Sequence, residues 1–325
     1  DEAWVQVDAC ARCHSRRNIV AEDYEHGRPL LDHYDPELLV APLYHADGQI
    51  LDEVYVYGSF VQSKMHREGV RCTDCHDPHT ARLQASDDAV CVRCHQAKPP
   101  KEFPTLAKRT YDTEEHHHHE PGTPGSFCVD CHMPATTYMQ VDPRRDHSFR
   151  VPRPDLTASI GTPNACNGCH DGKTPAWAEE HIRSWSSLSG LGTPHFATTL
   201  AAARRGDAEA LPRLLELATD RVRAGIVRAT ALREAQRFGG PRVLDALRRT
   251  VADEDGLVRA AAVDGVCALI PRGASPEGQG VKLELLGPRL TDPLRLVRTE
   301  AARGLASLPP AMLDASTRQA FDAAF

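Results

Sequence analysis

Ten of the eleven cysteines fall into five copies of one short pattern, Cys-x-x-Cys-His. Two thiols three residues apart on a tight turn can both bond to the vinyl groups along one porphyrin edge, and the adjacent histidine can bind the iron from one side. The pattern therefore predicts five covalently attached haem c groups. Its copies are Cys10, Cys13 and His14; Cys72, Cys75 and His76; Cys91, Cys94 and His95; Cys128, Cys131 and His132; and Cys166, Cys169 and His170.

Zinc sites and a disulfide framework are the two alternative explanations for so many cysteines. Zinc sites built from paired Cys-x-x-Cys motifs do not require a histidine directly after every second cysteine. A disulfide framework requires no histidine there either. Because all five copies carry that histidine, the sequence favours haem attachment over both alternatives.

A low-spin haem iron needs a second axial ligand, and 12 of the 17 histidines lie outside the five motifs. The best candidates by position are His66 before the second motif, His79 after it, and His147 after an aspartate. From the run at residues 116–119 we expect one or two further ligands and select His117 and His119. Any one of these could instead be a surface or capping histidine, but five irons need partners. Methionine is a further axial ligand type, although packing in the core is the commoner role of that residue.

The stretches between the motifs show little periodicity and contain many Pro and Gly residues. Such segments would not build a core from side chains alone, whereas five porphyrins could serve as that core. We therefore expect short helices at the motifs and long loops packed on haem. The predicted fold class is all-α, with a loop-rich multihaem cytochrome c domain at 1–195 followed by an α-solenoid at 196–325.

From about Phe196 the composition becomes rich in Ala, Leu and Arg, and an internal repeat is visible at Val227-Arg228, Val258-Arg259 and Val297-Arg298. Amphipathic helical spacing follows each copy, and an aspartate precedes each one. These features resemble HEAT repeats, in which neighbouring helix pairs bury a shared apolar face. Such a solenoid could simply cover the haem domain or could be a docking surface for a partner. Cys267 lies on the apolar face of one such helix and is predicted to be a packing residue.

The first 185 residues resemble the multihaem cytochrome c superfamily that includes ammonia-forming cytochrome c nitrite reductase and its octahaem relatives. The resemblance is carried by Met65-His66 before the second motif, by Cys128-Val-Asp-Cys131-His132-Met133-Pro134, and by Asp146-His147 before the last motif. It implies that His66 and His147 are axial ligands. The catalytic haem of the nitrite reductases is bound through Cys-x-x-Cys-Lys, which this sequence lacks, so their catalytic role cannot be transferred to any residue here.

The formal charge is uneven along the chain. Residues 1–195 contain 19 Lys+Arg and 29 Asp+Glu, a balance of −10, whereas residues 196–325 contain 19 and 16, a balance of +3. The acidic part would repel phosphate, which makes nucleic acid an unlikely class of partner. No run is long and apolar enough to span a membrane. The chain starts without Met and without a signal-peptide pattern, and it stops inside a helical pattern, so we expect a longer parent chain.

An electron-transfer cytochrome is the function that these motifs favour. Its expected partners are redox proteins within a homo- or hetero-oligomeric assembly. Covalent haem attachment indicates a periplasmic or extracellular location. The alternative function is a reductase of the nitrite or hydroxylamine type with one open haem.

Overall fold

The computed structural model describes residues 3–185 and 190–324, which fall into two units. The first unit contains the residues up to Cys10 and Pro42–Thr198, and the second contains Ala11–Ala41 and the residues from Thr199 onward. Helices predominate in the described residues, and the strands form two short hairpins, which confirms the predicted all-α class. The predicted domain boundary after residue 195 stays a prediction, since the second unit also takes in the early segment Ala11–Ala41.

The helices of the first unit are short, and several coincide with the cysteine motifs. They are α1 Ala3–His14, which continues into the second unit, α2 Tyr57–Val61, α3 Lys64–Arg67, α4 Cys72–Cys75, α5 Ala89–Val92, α6 Glu114–His117, α7 Cys128–His132, α8 Pro154–Ile160, α9 Ala165–Cys169 and α10 Pro175–Trp185. One antiparallel hairpin pairs Ala135–Tyr138 with Asp142–Arg145. Long loops connect these elements, as the sequence predicts.

The second unit is built from longer helices with a continuous apolar core. They are α11 Phe196–Arg204, which begins in the first unit, α12 Leu211–Thr219, α13 Gly225–Ala235, α14 Gly240–Thr250, α15 Gly256–Leu269, α16 Pro276–Leu286, α17 Arg295–Leu305 and α18 Ala315–Ala323. Short 3-10 segments lie at Leu30–Asp32, Ala208–Ala210, Gly287–Thr291 and Pro310–Met312. Leucines such as Leu214, Leu232, Leu247 and Leu305 are completely buried between these helices.

Buried ion pairs connect successive repeats in the second unit. The guanidinium of Arg228 on α13 forms a bidentate contact with Asp253, with nitrogen–oxygen distances of 3.1 and 2.5 Å. Arg259 on α15 pairs in the same way with Asp292, at 2.8 and 3.0 Å. Asp253 also accepts the backbone N–H of Asp255 at 3.0 Å and so orders the turn before α15. The repeated arginine and aspartate therefore fix one helix pair against the next.

The early segment of the second unit packs on the same helices. Its strands Arg17–Ile19 and Tyr34–Pro36 pair antiparallel. The backbone N–H of Leu39 donates to the Thr230 hydroxyl at 3.1 Å, and the N–H of Arg295 donates to Asp32 at 2.8 Å. Buried leucines of this segment thus add to the core of the helical repeats.

Cys267 is half-buried on α15, and burial raises its pKa to about 11. A thiol with so high a pKa is a poor nucleophile, which agrees with a packing role. Separately, among the described residues no helix has both the length and the apolar character needed to cross a membrane.

Candidate haem-attachment sites

Each cysteine motif lies on or beside a helical turn. Residues three apart on such a turn lie on one face, so both thiols of a motif point the same way. In the second motif the Asp74 carboxylate accepts the backbone N–H of Arg71 at 2.7 Å, and in the last motif the Asn164 side chain accepts the N–H of Asn167 at 3.1 Å. These caps stabilise helical turns of only four or five residues, which would not be stable alone.

Successive motifs along the chain are neighbours in space. The thiols of the first and second motifs, and those of the third and fourth, lie close enough to shift each other's pKa, and cysteines of the remaining neighbouring motifs do the same through their charges. In chain order the pairs are Cys10 with Cys72, Cys75 with Cys91, Cys91 with Cys128, and Cys131 with Cys166. Asp88, which precedes the third motif, also accepts the backbone N–H of Cys128 at 2.9 Å. The attachment points therefore follow one another in sequence order.

Three motif histidines each face a histidine from outside the motifs. Two imidazoles bound to one metal from opposite sides, each with a nitrogen about 2.0 Å from it, have ring centres about 6 Å apart. The observed spacings match this value. The pairs are His76 with His147 at 6.3 Å, His132 with His116 at 6.2 Å and His170 with His119 at 6.1 Å.

Hydrogen bonds at Nδ1 prepare several of these rings for metal binding through the other nitrogen. His132 Nδ1 lies 2.7 Å from the carbonyl oxygen of Arg150, and His147 Nδ1 lies 2.9 Å from that of Arg145. His119 Nδ1 lies 2.6 Å from the carbonyl of His117. A carbonyl can only accept, so Nδ1 must carry the proton and Nε2 keeps its lone pair, as in most metal-binding histidines.

Burial favours the neutral imidazole that an iron ligand requires. It lowers the pKa of His116, and the neighbouring His132 lowers it further. The pKa of His95 is lowered by the same two causes in the same order. Three facing imidazole pairs, with Nδ1 bonded to a carbonyl in three of the six rings, fit the bis-histidine binding of haem c.

The predicted distal ligands differ in how the structure places them. His147 and His119 face motif histidines, as described above. His66 lies at the end of α3 and packs against Phe60 with ring centres 5.5 Å apart. His79 is exposed in a turn, where its backbone N–H donates to the Asp77 carboxylate at 3.0 Å. No observation assigns an iron to His66 or His79, and both stay predictions.

Within the histidine run the structure favours a residue that we did not select. His116, rather than His117, faces a motif histidine. His117 Nδ1 accepts the backbone N–H of His119 at 3.2 Å, and its assignment as a ligand stays a prediction. No local signal separates the two residues, because tertiary contacts decide which ring faces His132.

The first and third motifs have different surroundings. His14 is exposed at the end of α1. His95 lies edge-to-face with Tyr111, with ring centres 6.0 Å apart. The structure thus brings together facing imidazole pairs at the second, fourth and fifth motifs.

Comparisons with known proteins support the two-part character of the chain. A family model described as the doubled CXXCH motif matches residues 65–100, and a model for HEAT repeats matches residues 195–267. No curated protein matches the chain. A solved structure, the crystal structure of the outer cell wall cytochrome OcwA, is similar at 16% identity with a TM-score of 0.42. That similarity covers 92% of this chain and 64% of that chain.

The two family models bear out the coarser predictions. The chain carries a doubled CXXCH motif, which covers the second and third copies, followed by HEAT repeats.

Proposed function

We propose that this protein is an electron-transfer cytochrome that holds five haem c groups, most of them between two histidines. The observation that carries the proposal is the set of three imidazole pairs at 6.1–6.3 Å, each joining a motif histidine to a histidine from elsewhere in the chain. The spacing is that of two ligands of one metal, and the cysteines needed for covalent attachment precede each motif histidine. Haem c supplies one-electron redox chemistry when bound.

The residues of the chain favour electron transfer over bond-making chemistry at the three paired sites. Two axial imidazoles leave no coordination position for a substrate. Histidine pairs also lack the methionine ligand that raises the potential, and the balance of −10 over residues 1–195 stabilises the oxidised iron. Low potentials follow from both features.

The spatial order of the motifs supports a path that runs from the first to the last. Neighbouring motifs lie close together in sequence order, since Cys72 lowers the pKa of Cys10 and Cys128 lowers that of Cys91. The most exposed cysteines are Cys13 in the first motif and Cys169 in the last. Redox-partner proteins would therefore exchange electrons at the two ends of the series.

A periplasmic or extracellular location is part of the proposal, because covalent haem attachment resembles a maturation that takes place outside the cytoplasm. Work within a larger assembly is also part of it. The acidic balance of residues 1–195 and the +3 balance of residues 196–325 favour contact between the unlike parts of two copies.

A reductase of the nitrite or hydroxylamine type is the second candidate function. The observation in its favour is the third motif, where His95 lies edge-to-face with Tyr111 at a ring-centre distance of 6.0 Å. The proposed membership of the nitrite reductase superfamily belongs with this candidate, although the chain lacks the Cys-x-x-Cys-Lys motif of that catalytic haem. Binding of cyanide or nitrite to one iron, seen as a shift in the haem spectrum, would support it over pure electron transfer.

Replacement of His147 by Ala tests the first proposal. The intact mass should still include five haems, because the cysteines are unchanged, and low-temperature EPR should show one additional high-spin iron in five. His26→Ala is the control, since His26 is exposed and outside every facing pair. A wild-type mass with fewer than five haems, or an unchanged spectrum in His147→Ala, would contradict the proposal.

A further inference from the structure

We propose that His118, Trp185 and Gly125 position one short loop so that it supplies axial ligands to two different haems. The inference rests on the proposed haem binding. The loop is residues 114–126, and its two ligands are His116, which faces His132, and His119, which faces His170. The three positioning residues touch no haem iron and act through His119.

The spacing of the two ligands creates a geometric problem. His116 and His119 are three residues apart, and residues at this spacing share one face of a continuous helix. On such a helix both rings would point towards the same haem. The motif histidines that they face, His132 and His170, belong to different motifs, so the helix has to end between the two ligands.

His118 ends the helix by adopting the left-handed conformation, with a φ of 56°. Its backbone N–H donates to the carbonyl of Glu114 at 2.8 Å, which closes α6. The next residue, His119, then leaves the helix in a new direction. The left-handed conformation costs a histidine more than it costs a glycine, and a ring contact with a neighbouring helix stabilises it at His118.

Trp185 provides that contact. Its indole lies parallel to the His118 ring, with centroids 4.2 Å apart and an angle of 18° between the planes. Trp185 ends α10, and Trp177 on the same helix packs against His170 with ring centres 4.9 Å apart. Helix α10 therefore contacts both His170, the motif histidine of the fifth site, and His118, the residue that directs His119 towards it.

Gly125 provides the space that the His119 ring occupies. A Cβ atom at this position would lie 2.6 Å from Cδ2 and 2.7 Å from Nε2 of His119, far inside van der Waals contact. The backbone of Gly125 also has a φ of 93°, and its N–H donates to Asp130 on α7 at 3.0 Å. Any side chain at residue 125 would push the ligating nitrogen of His119 away from His170.

Gly125→Ala tests the inference against a matched control in the same loop. Gly122 has a similar φ of 80°, but a Cβ there meets nothing within 4 Å. Both alanine variants thus carry the same backbone penalty, and only Gly125→Ala displaces the His119 ring. The measurements are intact mass, low-temperature EPR and a redox titration of the holoprotein.

In Gly125→Ala we expect five retained haems, one additional high-spin iron in five and a changed potential for that haem. Gly122→Ala should match the wild type. Trp185→Ala should change the same haem, and Trp185→Phe should restore it because a second aromatic ring can still stack on His118. The two variants Trp185→Ala and Trp185→Phe also serve as the test if the Gly125→Ala protein does not fold and accumulate.

An unchanged spectrum and unchanged potentials in both Gly125→Ala and Trp185→Ala would overturn the inference. Equal changes in Gly122→Ala and Gly125→Ala would overturn it as well, since backbone strain alone would then explain them. Failure of the proposed function is distinguishable, because it would appear in the wild type as missing haems or absent bis-histidine signals.

Discussion

Replacing Asp253 by Ala should strongly destabilise the helical repeats. The side chains of Arg228 and Asp253 are only 5% and 4% exposed, and their bidentate pair spans two successive repeats. Although burial opposes it, hydrogen bonding from Arg228 lowers the pKa of Asp253, so this carboxylate is ionised at neutral pH. The variant leaves a buried guanidinium without its counter-charge, which costs about 3–5 kcal/mol.

The adjacent residue provides the control for this prediction. Glu254 pairs with Arg221, but the two side chains are 85% and 63% exposed. Glu254→Ala should therefore change the free energy of unfolding by at most about 1 kcal/mol. The measurement is urea unfolding of the full chain, followed by the far-UV helical signal.

A double variant separates charge from packing. Replacing Arg228 by Met and Asp253 by Leu removes both charges while keeping buried volume, and it should recover most of the stability lost in Asp253→Ala. A loss below about 1 kcal/mol in Asp253→Ala would refute the reasoning, because it would show that the pair is not buried as described. A double variant as unstable as Asp253→Ala would also refute it.

Two further predictions concern the second unit. Burial, reinforced by Glu300 and Glu37, raises the pKa of Asp35 from 3.8 to about 6, so the folded chain binds more protons than the unfolded chain between these values and stability falls as pH rises through that window. Asp35→Asn should raise the free energy of unfolding by about 1–3 kcal/mol at pH 7 and should not change it at a pH below the unfolded pKa. Urea unfolding measures both values, and equal gains at the two pH values would contradict this. Gly304→Ala should cost about 1–3 kcal/mol, because a Cβ there would lie 2.5 Å from Cys267 Sγ and 2.7 Å from Leu286 Cδ1. Thermal unfolding should show that Cys267→Ala restores part of this loss, and no restoration would contradict the reasoning.

The structure could best be predicted from the sequence where the chemistry requires particular residues at a fixed, short spacing. Covalent haem attachment needs two cysteines and a histidine at fixed spacing, so the motifs and their helical turns could be predicted. The repeated Val-Arg positions likewise predicted the helical repeats, and Arg228 and Arg259 do pair along the stack. In both cases a single local pattern determines the interaction.

Distal ligands were harder to predict because tertiary contacts select them. His116 and His117 are neighbours of one type, and only tertiary contacts decide which ring faces His132, while the left-handed conformation at position 118 directs His119. That conformation depends on Trp185, which lies 67 positions further along the chain. Nothing in residues 116–119 alone encodes that contact.

The segment Ala11–Ala41 belongs to the second unit of the structure, while the predicted domain boundary after residue 195 stays a prediction. Because Cys13 and His14 belong to a haem motif, the sequence placed the whole segment with the haem region. The structure groups it with the helical repeats, where Leu31 and Leu39 are buried. The sequence signal for this packing is the two leucine pairs Leu30-Leu31 and Leu38-Leu39, which no motif explains.

The most direct test of the central claim is to locate the irons in crystals of the holoprotein by anomalous X-ray scattering. The account predicts five iron positions, three of which lie midway between the facing rings of His76 and His147, His132 and His116, and His170 and His119. Fewer than five irons, or irons at these three motifs bound by other distal residues, would contradict it.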